Sequence, residues 1–295
     1  MTTRERILQH LRNVTRERNF QTARASLSEV QSYIQRELTS YGFRVREEPF
    51  SHAGESFVNL IASREENPHK PRWIFGAHFD AVPGSPGADD NASGVAALLE
   101  MARVYTEFEK NQTSPSQACT VEFAAFNLEE YGMIGSRSYA EKLKRERAKV
   151  LGMFSLEMLG YASREKGSQE MPIFLKPFYP DAGNFIGLVA NTSSQALLKK
   201  VKKIFQSVEG LETQTLVLPA NGWFFPDARL SDHSPFWDEG FPALLVTDTS
   251  FFRNPYYHSG RDTIDSLDLD FLTCVTQALA RTACELSSPS REERR

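Results

Sequence analysis

The chain has 295 residues, of which 40% are hydrophobic and 24% charged, and its formal net charge is −4. This length and composition are enough for a large buried core, whereas the lack of a basic excess argues against a nucleic-acid partner. No apolar run reaches the roughly 20 residues that a membrane-spanning helix needs, and the N-terminus lacks the apolar centre of a signal peptide, so we expect a cytoplasmic protein without a membrane partner.

The first half of the chain alternates helix-like and strand-like segments. Residues 1–20 are charged and helical in character, and we treat them as an N-terminal helical extension. Apolar residues then recur at spacings of three and four between Leu27 and Leu38, which predicts an amphipathic helix that ends before Gly42. Strands are predicted over residues 43–49, 57–63, 72–77 and 121–126, and a helix over residues 92–108.

The second half continues the alternation. It predicts helices over residues 138–149, 193–207 and 269–286, strands over 150–156 and 184–190, and an irregular segment over 161–181 that lies over the sheet edge or the mouth of a site. Residues 287–295 have the composition of a disordered tail. We therefore predict one α/β domain over residues 21–286, with three α/β/α layers and a mixed, mostly parallel central sheet.

Side chains that can bind metal follow the ends of the predicted strands. His78 and Asp80 follow the first buried strand, Glu129 and Glu130 follow another, and Glu157 follows a third. Asp89 lies in the loop that precedes the helix at 92–108. Because open α/β sheets place their sites outside the carboxyl ends of the strands, this recurrence predicts a common site.

Imidazole nitrogens and carboxylate oxygens are the donors that zinc prefers, and a site for two zinc ions needs one carboxylate that both ions share. We assign His78 to one ion, His258 to the other and Asp89 to the shared position. Glu130 and Glu157 each supply one further carboxylate.

Three more residues complete the predicted chemistry. Asp80 would lie on the same face of its strand as His78 and could accept the second N–H of that ring. Because adjacent carboxylates do not face one metal in a regular element, Glu129 is assigned as general base and Glu130 as ligand. Tyr257, rather than its neighbour Tyr256, would donate a hydrogen bond to the carbonyl oxygen as negative charge develops there.

Four motifs in this order resemble those of the co-catalytic dinuclear zinc aminopeptidases, whose fold is shared with glutamate carboxypeptidase and glutaminyl cyclase. They are His-x-Asp at 78–80, Gly-x-Asp-Asp-x-x-x-Gly at 87–94, Glu-Glu-x-Gly-x-x-Gly-Ser at 129–136 and Tyr-His at 257–258. The resemblance covers residues 27–286 and implies a zinc exopeptidase with the residue roles given above. It also implies a cis peptide between Asp89 and Asp90.

One position departs from many members of that family, which have Asp where this chain has Glu157. The added methylene group affects the geometry and the metal preference of the ion that Glu157 would bind. Nickel, cobalt and manganese remain alternatives to zinc.

The sequence offers several candidates for substrate binding. Arg229 could bind a substrate carboxylate or pair with Asp227 or Asp232, and His233 could face the pocket or be bonded to its neighbours. Phe236 and the nearby aromatic residues suit either an apolar pocket or the core. His10, His52 and His69 are expected at the surface.

The predicted function is an aminopeptidase that uses two zinc ions and hydrolyses the N-terminal peptide bond of a peptide substrate. Three alternatives remain open: a carboxypeptidase or dipeptidase that uses Arg229, a glutaminyl cyclase, and a non-catalytic binding module. The presence of all five ligands argues against the last two.

Overall fold

The structure, a computed structural model, describes residues 1–65, 67, 69–112 and 119–288. The helices are α1 (Thr3–Val14), α2 (Arg24–Ser40), α3 (Gly94–Lys110), α4 (Ile134–Arg145), α5 (Gln195–Phe205), α6 (His233–Asp238) and α7 (Leu269–Ser287). The strands are β1 (Arg44–His52), β2 (Glu55–Ser63), β3 (Arg72–His78), β4 (Thr120–Phe126), β5 (Val150–Glu157), β6 (Phe185–Asn191), β7 (Glu212–Leu218) and β8 (Ala243–Thr247).

All eight strands form one sheet in the order β1-β2-β4-β3-β5-β8-β6-β7. The four central strands β4, β3, β5 and β8 are parallel to one another, and β6 and β7 are parallel to each other. Antiparallel pairings attach β1 and β2 at one side and join β6 to β8 at the other. The mixed, mostly parallel sheet is as predicted.

Helices cover both faces of this sheet. Side chains alternate between the faces along each strand, so that on β3 Phe75 packs with the larger helical layer and Ile74 with the smaller one. The larger layer contains α1, α2, α3, α5 and α7, and the smaller one contains α4 and α6. The predicted three-layer fold is therefore confirmed.

The N-terminal segment is closely joined to the rest of the molecule. Ile7, Leu11 and Val14 of α1 are fully buried in the same hydrophobic cluster as α3 and α7. His10, which we expected at the surface, is also buried, because it lies on the same face of α1 and bonds to the hydroxyl of Tyr33 at 2.7 Å. The chain between α1 and α2 then runs beneath the candidate site described next.

Other differences from the predicted elements are local. The strands β7 and β8 and the short helix α6 had no assignment from the sequence, and α4 begins four residues earlier than predicted. Of the predicted tail, Ser287 is the last residue of α7, and residues 289–295 lie outside the described part of the chain. Within that part, no helix combines the length and the apolar character needed to cross a membrane.

Candidate metal centre and active site

The candidate site lies where the four parallel strands β4, β3, β5 and β8 end. His78 is the last residue of β3 and Glu157 the last residue of β5, and the turn after β4 carries Glu129 and Glu130. Because these strands are parallel and adjacent, their carboxyl ends share one edge of the sheet. The fold thus brings together side chains that are far apart in the sequence.

Five side chains converge at this edge, and we call them the carboxylate–imidazole cluster: His78, Asp90, Glu130, Glu157 and His258. His78 Nε2 lies 3.2 Å from Asp90 Oδ1 and 3.4 Å from Glu157 Oε1. His258 Nε2 lies 3.1 Å from Asp90 Oδ2 and 3.2 Å from Glu130 Oε2. The donor atoms form two groups, each with its atoms within 4.8 Å of one another, and Asp90 belongs to both.

Asp89, which we predicted as the shared carboxylate, is not part of this cluster. It is fully buried and faces away, with Oδ1 accepting a hydrogen bond from the Gly160 amide at 2.9 Å and Oδ2 one from the Asn254 side chain at 2.7 Å. Asp90 occupies the shared position, so the assignment of Asp89 is wrong by one residue.

The irregular backbone of the loop explains this difference. Asp90 and Asn91 have non-helical φ and ψ angles inside an otherwise helical segment, Ala88–Ser93, so the spacing rules of helices and strands do not apply there. The cis peptide also lies one residue later than predicted, between Asp90 and Asn91.

Asp80 supports the cluster from behind. Its Oδ1 lies 3.5 Å from His78 Nδ1, and its two carboxylate oxygens accept hydrogen bonds from the backbone amides of Glu129 at 3.1 Å and Glu130 at 3.3 Å. The side chain is fully buried. His78 Nδ1 also lies 3.2 Å from the Asp80 backbone carbonyl oxygen, so Asp80 orients the imidazole and its carboxylate fixes the turn that carries two further acids.

Glu157 is held by two buried serines. Ser231 Oγ donates to Glu157 Oε2 at 2.7 Å, and Ser231 in turn bonds to Ser155 at 2.8 Å. These contacts fix the side chain of Glu157. The sequence gave no indication of this role for Ser231.

Burial and mutual charge shift the pKa values of the whole cluster. Burial raises the pKa of Glu130 to about 7, and burial together with the charge of Glu157 raises the pKa of Glu129 well above its ordinary value. Burial opposes protonation of His258, but hydrogen bonds to Asp90 and Glu130 outweigh it and raise its pKa to about 10. So dense a set of buried acids calls for positive charge to compensate it.

Glu129 and Tyr257 flank the cluster without belonging to either group. Glu129 Oε2 lies 4.0 Å from His78 Nε2. The ring of Tyr257 stacks on that of His258, with centroids 3.7 Å apart and planes 18° apart. Both residues line the cavity that opens beside the cluster.

This cavity has a volume of about 290 Å³. Residues of β6, β7 and β8, including Val189, Leu216 and Leu245, line the cavity, together with aromatic side chains that include Phe225, Phe251 and Phe252. Apart from His258, the charged residues among the described lining of the cavity are all acids. They are Asp90, Glu129, Glu130, Glu157 and Asp227. The cavity therefore combines an apolar interior with an acidic end.

The three residues predicted to bind substrate lie outside this lining. Arg229 forms two hydrogen bonds to Asp238, at 2.8 and 2.9 Å, and stacks on Trp223. His233 is fully buried and bonds to the Ala228 carbonyl at 2.9 Å, and Phe236 is fully buried in the smaller hydrophobic cluster, beneath α4 and α6. The structure does not support these assignments, because α6 packs His233 and Phe236 into the core and Arg229 is paired with Asp238.

The fold and the cluster together define a metal-dependent peptidase. The model of peptidase family M28 matches residues 59–283, and the chain belongs to that family. The predicted family and the predicted zinc exopeptidase class are thereby confirmed.

Particular relatives agree with this assignment. The chain is 32% identical over 265 residues to the uncharacterized protein YfbL of Escherichia coli, a match that covers 86% of this chain and 79% of YfbL. It is 28% identical over 292 residues to leucine aminopeptidase 1 of Blastomyces gilchristii, covering 94% of this chain and 68% of that protein. The LapA aminopeptidase of Legionella pneumophila has the same fold, with a TM-score of 0.74, 21% identity and coverage of 97% of this chain and 72% of LapA.

Proposed function

We propose that this chain is an aminopeptidase whose carboxylate–imidazole cluster holds two divalent metal ions, with zinc as the expected metal. The observation that supports cleavage at the N-terminus of the substrate, rather than at its C-terminus, is the set of charged residues that line the cavity. Among its described lining residues there is no lysine or arginine, and the acids are three members of the cluster, the neighbouring Glu129, and Asp227. Bound metal ions would compensate the carboxylates of the cluster itself, but Glu129 and Asp227 would remain to attract a free amino group, and the described lining offers no lysine or arginine to bind a substrate carboxylate.

The donor set of the cluster fits two ions. Each group offers one imidazole nitrogen and two carboxylate oxygens, and Asp90 gives Oδ1 to the first group and Oδ2 to the second. These are the donor types that zinc binds, and a carboxylate shared in this way is typical of paired ions. Glu130 Oε1 is buried without a hydrogen-bond partner in the described part of the chain, which suits a further metal contact.

The residues around the cluster would divide the chemistry. When bound, divalent ions supply positive charge that acidifies a water molecule and polarises the peptide carbonyl. Glu129, which lies beside the cluster and has a raised pKa from burial, would accept the proton of that water and deliver it to the leaving amine. Tyr257 would donate a hydrogen bond to the carbonyl oxygen as negative charge develops, and Asp80 would keep His78 in its binding tautomer.

The apolar part of the cavity supports a preference for apolar N-terminal residues. Aliphatic and aromatic side chains form most of its wall, and leucine is of a size that the volume accommodates. The carboxypeptidase alternative loses its supporting residue, because Arg229 is already bonded to Asp238 and lies outside the cavity.

A set of matched peptides tests the proposed function. We expect release of leucine from a free Leu-peptide, the same rate when the C-terminus is amidated, and no release when the N-terminus is acetylated. Treatment with a chelator should abolish the reaction, and zinc should restore it. Cleavage that tolerates the acetyl group but requires a free C-terminus would contradict the aminopeptidase assignment.

A further inference from the structure

Arg18 is a buried cation beneath the candidate site. It lies between α1 and α2, outside the family match, and its side chain is completely inaccessible to solvent. Its hydrogen bonds run to five backbone carbonyl oxygens: from Nε to Phe79 at 2.9 Å, from Nη1 to Arg16 at 3.1 Å and Pro86 at 2.6 Å, and from Nη2 to Gly87 at 2.9 Å and Asp90 at 3.4 Å.

Four of these five carbonyls belong to one segment, residues 79–93 between β3 and α3, which we call the ligand loop. These bonds reach the backbone next to two cluster residues. Phe79 directly follows His78, and the Asp90 carbonyl belongs to the residue whose carboxylate is shared by the two groups. A guanidinium presents its donors in a rigid planar fork, so one side chain can fix several carbonyls at defined positions. Arg18 thus sets the distance between two parts of the cluster.

The backbone around Arg18 leaves no room for a side chain at Gly87. Gly87 has a φ angle of 59°, and a Cβ atom at this position would lie 2.2 Å from the Asp90 carbonyl oxygen and 2.9 Å from Arg18 Nη2. The loop is therefore closed tightly over the guanidinium.

An acidic residue holds the same loop through its amides. The carboxylate of Asp262 accepts hydrogen bonds from the backbone amides of Asp89 at 2.9 Å and Asp90 at 3.1 Å, and its carbonyl accepts one from Ala88 at 3.1 Å. Carbonyl groups of the ligand loop thus face a cation, and its amides face an anion. This complementarity indicates a loop whose conformation is fixed before any ligand arrives.

The charge of Arg18 also matters for the acids above it. Within the described chain, the hydrogen bonds of Arg18 named above all go to carbonyl oxygens and none to a carboxylate, and burying a guanidinium in this way is unfavourable unless other charges compensate. The acids that attract it are Asp90, Asp80, Asp262 and Glu130. The cation and this group of acids therefore stabilise each other.

We propose that Arg18 is a positioning residue, which holds the ligand loop so that His78 and Asp90 are preorganised to bind the metal ions. This inference rests on the metal centre proposed above. It assigns a role in the site to the N-terminal segment, which the sequence suggested to be only a helical extension.

Two substitutions separate the parts of this role. Arg18→Met removes the charge and all donors while keeping much of the side-chain length, and Arg18→Lys keeps the charge but replaces the planar fork with a single ammonium group. Arg64→Met is the matched control, because Arg64 also donates to backbone carbonyls, those of Tyr41 and Gly42. Arg64 directly follows β2. This strand runs antiparallel to β4, so it ends at the edge of the sheet opposite the site.

The measurements are the zinc dissociation constant of each metal-free protein, by competition with a chromophoric chelator, and the hydrogen exchange of the ligand loop. We expect Arg18→Met to bind zinc at least about tenfold more weakly, as is usual when a group that orients metal ligands is removed. Exchange should accelerate within residues 79–93, and Arg18→Lys should fall between Arg18→Met and wild type. In zinc-saturated enzyme, kcat should fall while KM changes little, and Arg64→Met should keep wild-type zinc affinity.

Wild-type zinc affinity and wild-type exchange in Arg18→Met would overturn the proposal. If that variant does not fold, Arg18→Lys decides by the same two measurements: unchanged values overturn the proposal, and weaker zinc binding with a faster-exchanging loop supports it. If the wild-type chain itself binds no zinc, the proposed metal centre fails, and the exchange of the loop alone decides the positioning role.

Discussion

Substitution of Tyr257 by phenylalanine tests the proposed stabilisation of the reaction's negative charge. The ring stacks on His258 with centroids 3.7 Å apart, and phenylalanine keeps this contact and the lining of the cavity. The change therefore removes one hydroxyl donor and little else. Loss of one such donor costs about 3 to 4 kcal/mol of transition-state stabilisation, which corresponds to a decrease of roughly 10² to 10³ in kcat.

The assay is steady-state hydrolysis of leucine p-nitroanilide by zinc-loaded enzyme, with zinc content measured on the same samples. KM and zinc content should stay at their wild-type values, since neither depends on the hydroxyl. Tyr256→Phe is the control, because Tyr256 packs against Tyr161 and Arg261 and does not line the cavity. A kcat for Tyr257→Phe within about threefold of wild type would refute the proposed role, because a donor with this role is worth far more.

Three further predictions concern proton transfer, specificity and stability. Glu129→Gln should retain its metal and lose roughly 10² to 10⁴ in kcat, and a loss of metal instead would show that Glu129 is a ligand. Leu216→Phe should narrow the cavity and lower kcat/KM for leucine relative to alanine substrates by about tenfold, whereas an unchanged ratio would place the N-terminal side chain elsewhere. Burial lowers the pKa of His10 from 6.5 to about 4 in the folded protein. As the pH falls below 6.5, His10 therefore takes up a proton in the unfolded chain but not in the folded one, and the folded state loses stability. Between pH 7.5 and pH 5 the titration of His10 lowers the free energy of unfolding of wild type by about 2 kcal/mol. The free energy of unfolding of His10→Gln, measured by urea denaturation, should therefore fall by about 2 kcal/mol less than that of wild type over this pH range. An equal fall in both proteins would exclude His10 as the cause.

The sequence predicted correctly those site residues that lie at the ends of regular strands. His78 and Glu157 end buried strands, and Glu130 follows another, so apolar runs with an acid or imidazole at their end were enough to indicate a common edge. His258 has no such strand before it, and it was assigned because the cluster needed further metal-binding groups, in agreement with the resemblance to known motifs. The structure brings all four together with a shared aspartate.

The choice between Asp89 and Asp90 could not be made from spacing. Both are acids in an irregular loop, and hydrogen bonds to Asp262, Gly160 and Asn254 decide which carboxylate faces the cluster. Those partners are distant in sequence and lie in loops, so no local pattern connects them to the site.

The same reason explains the errors in substrate binding and the missed role of the N-terminal segment. The sequence favoured the core for Phe236 but left the pocket open, and only the packing of α6 decides for the core. Arg18 lies in a charged segment that resembles ordinary surface sequence, and its burial depends on tertiary contacts with the ligand loop. Periodicity reports the faces of regular elements and carries little information about such contacts.

The most direct test of the metal centre is anomalous X-ray scattering at the zinc edge from crystals of the zinc-loaded protein. The proposed function predicts two zinc peaks, roughly 3.5 to 4 Å apart, one beside His78 and Glu157 and the other beside Glu130 and His258. The carboxylate of Asp90 should lie between them. Two peaks bridged by another residue, or no zinc at these five side chains, would contradict the account.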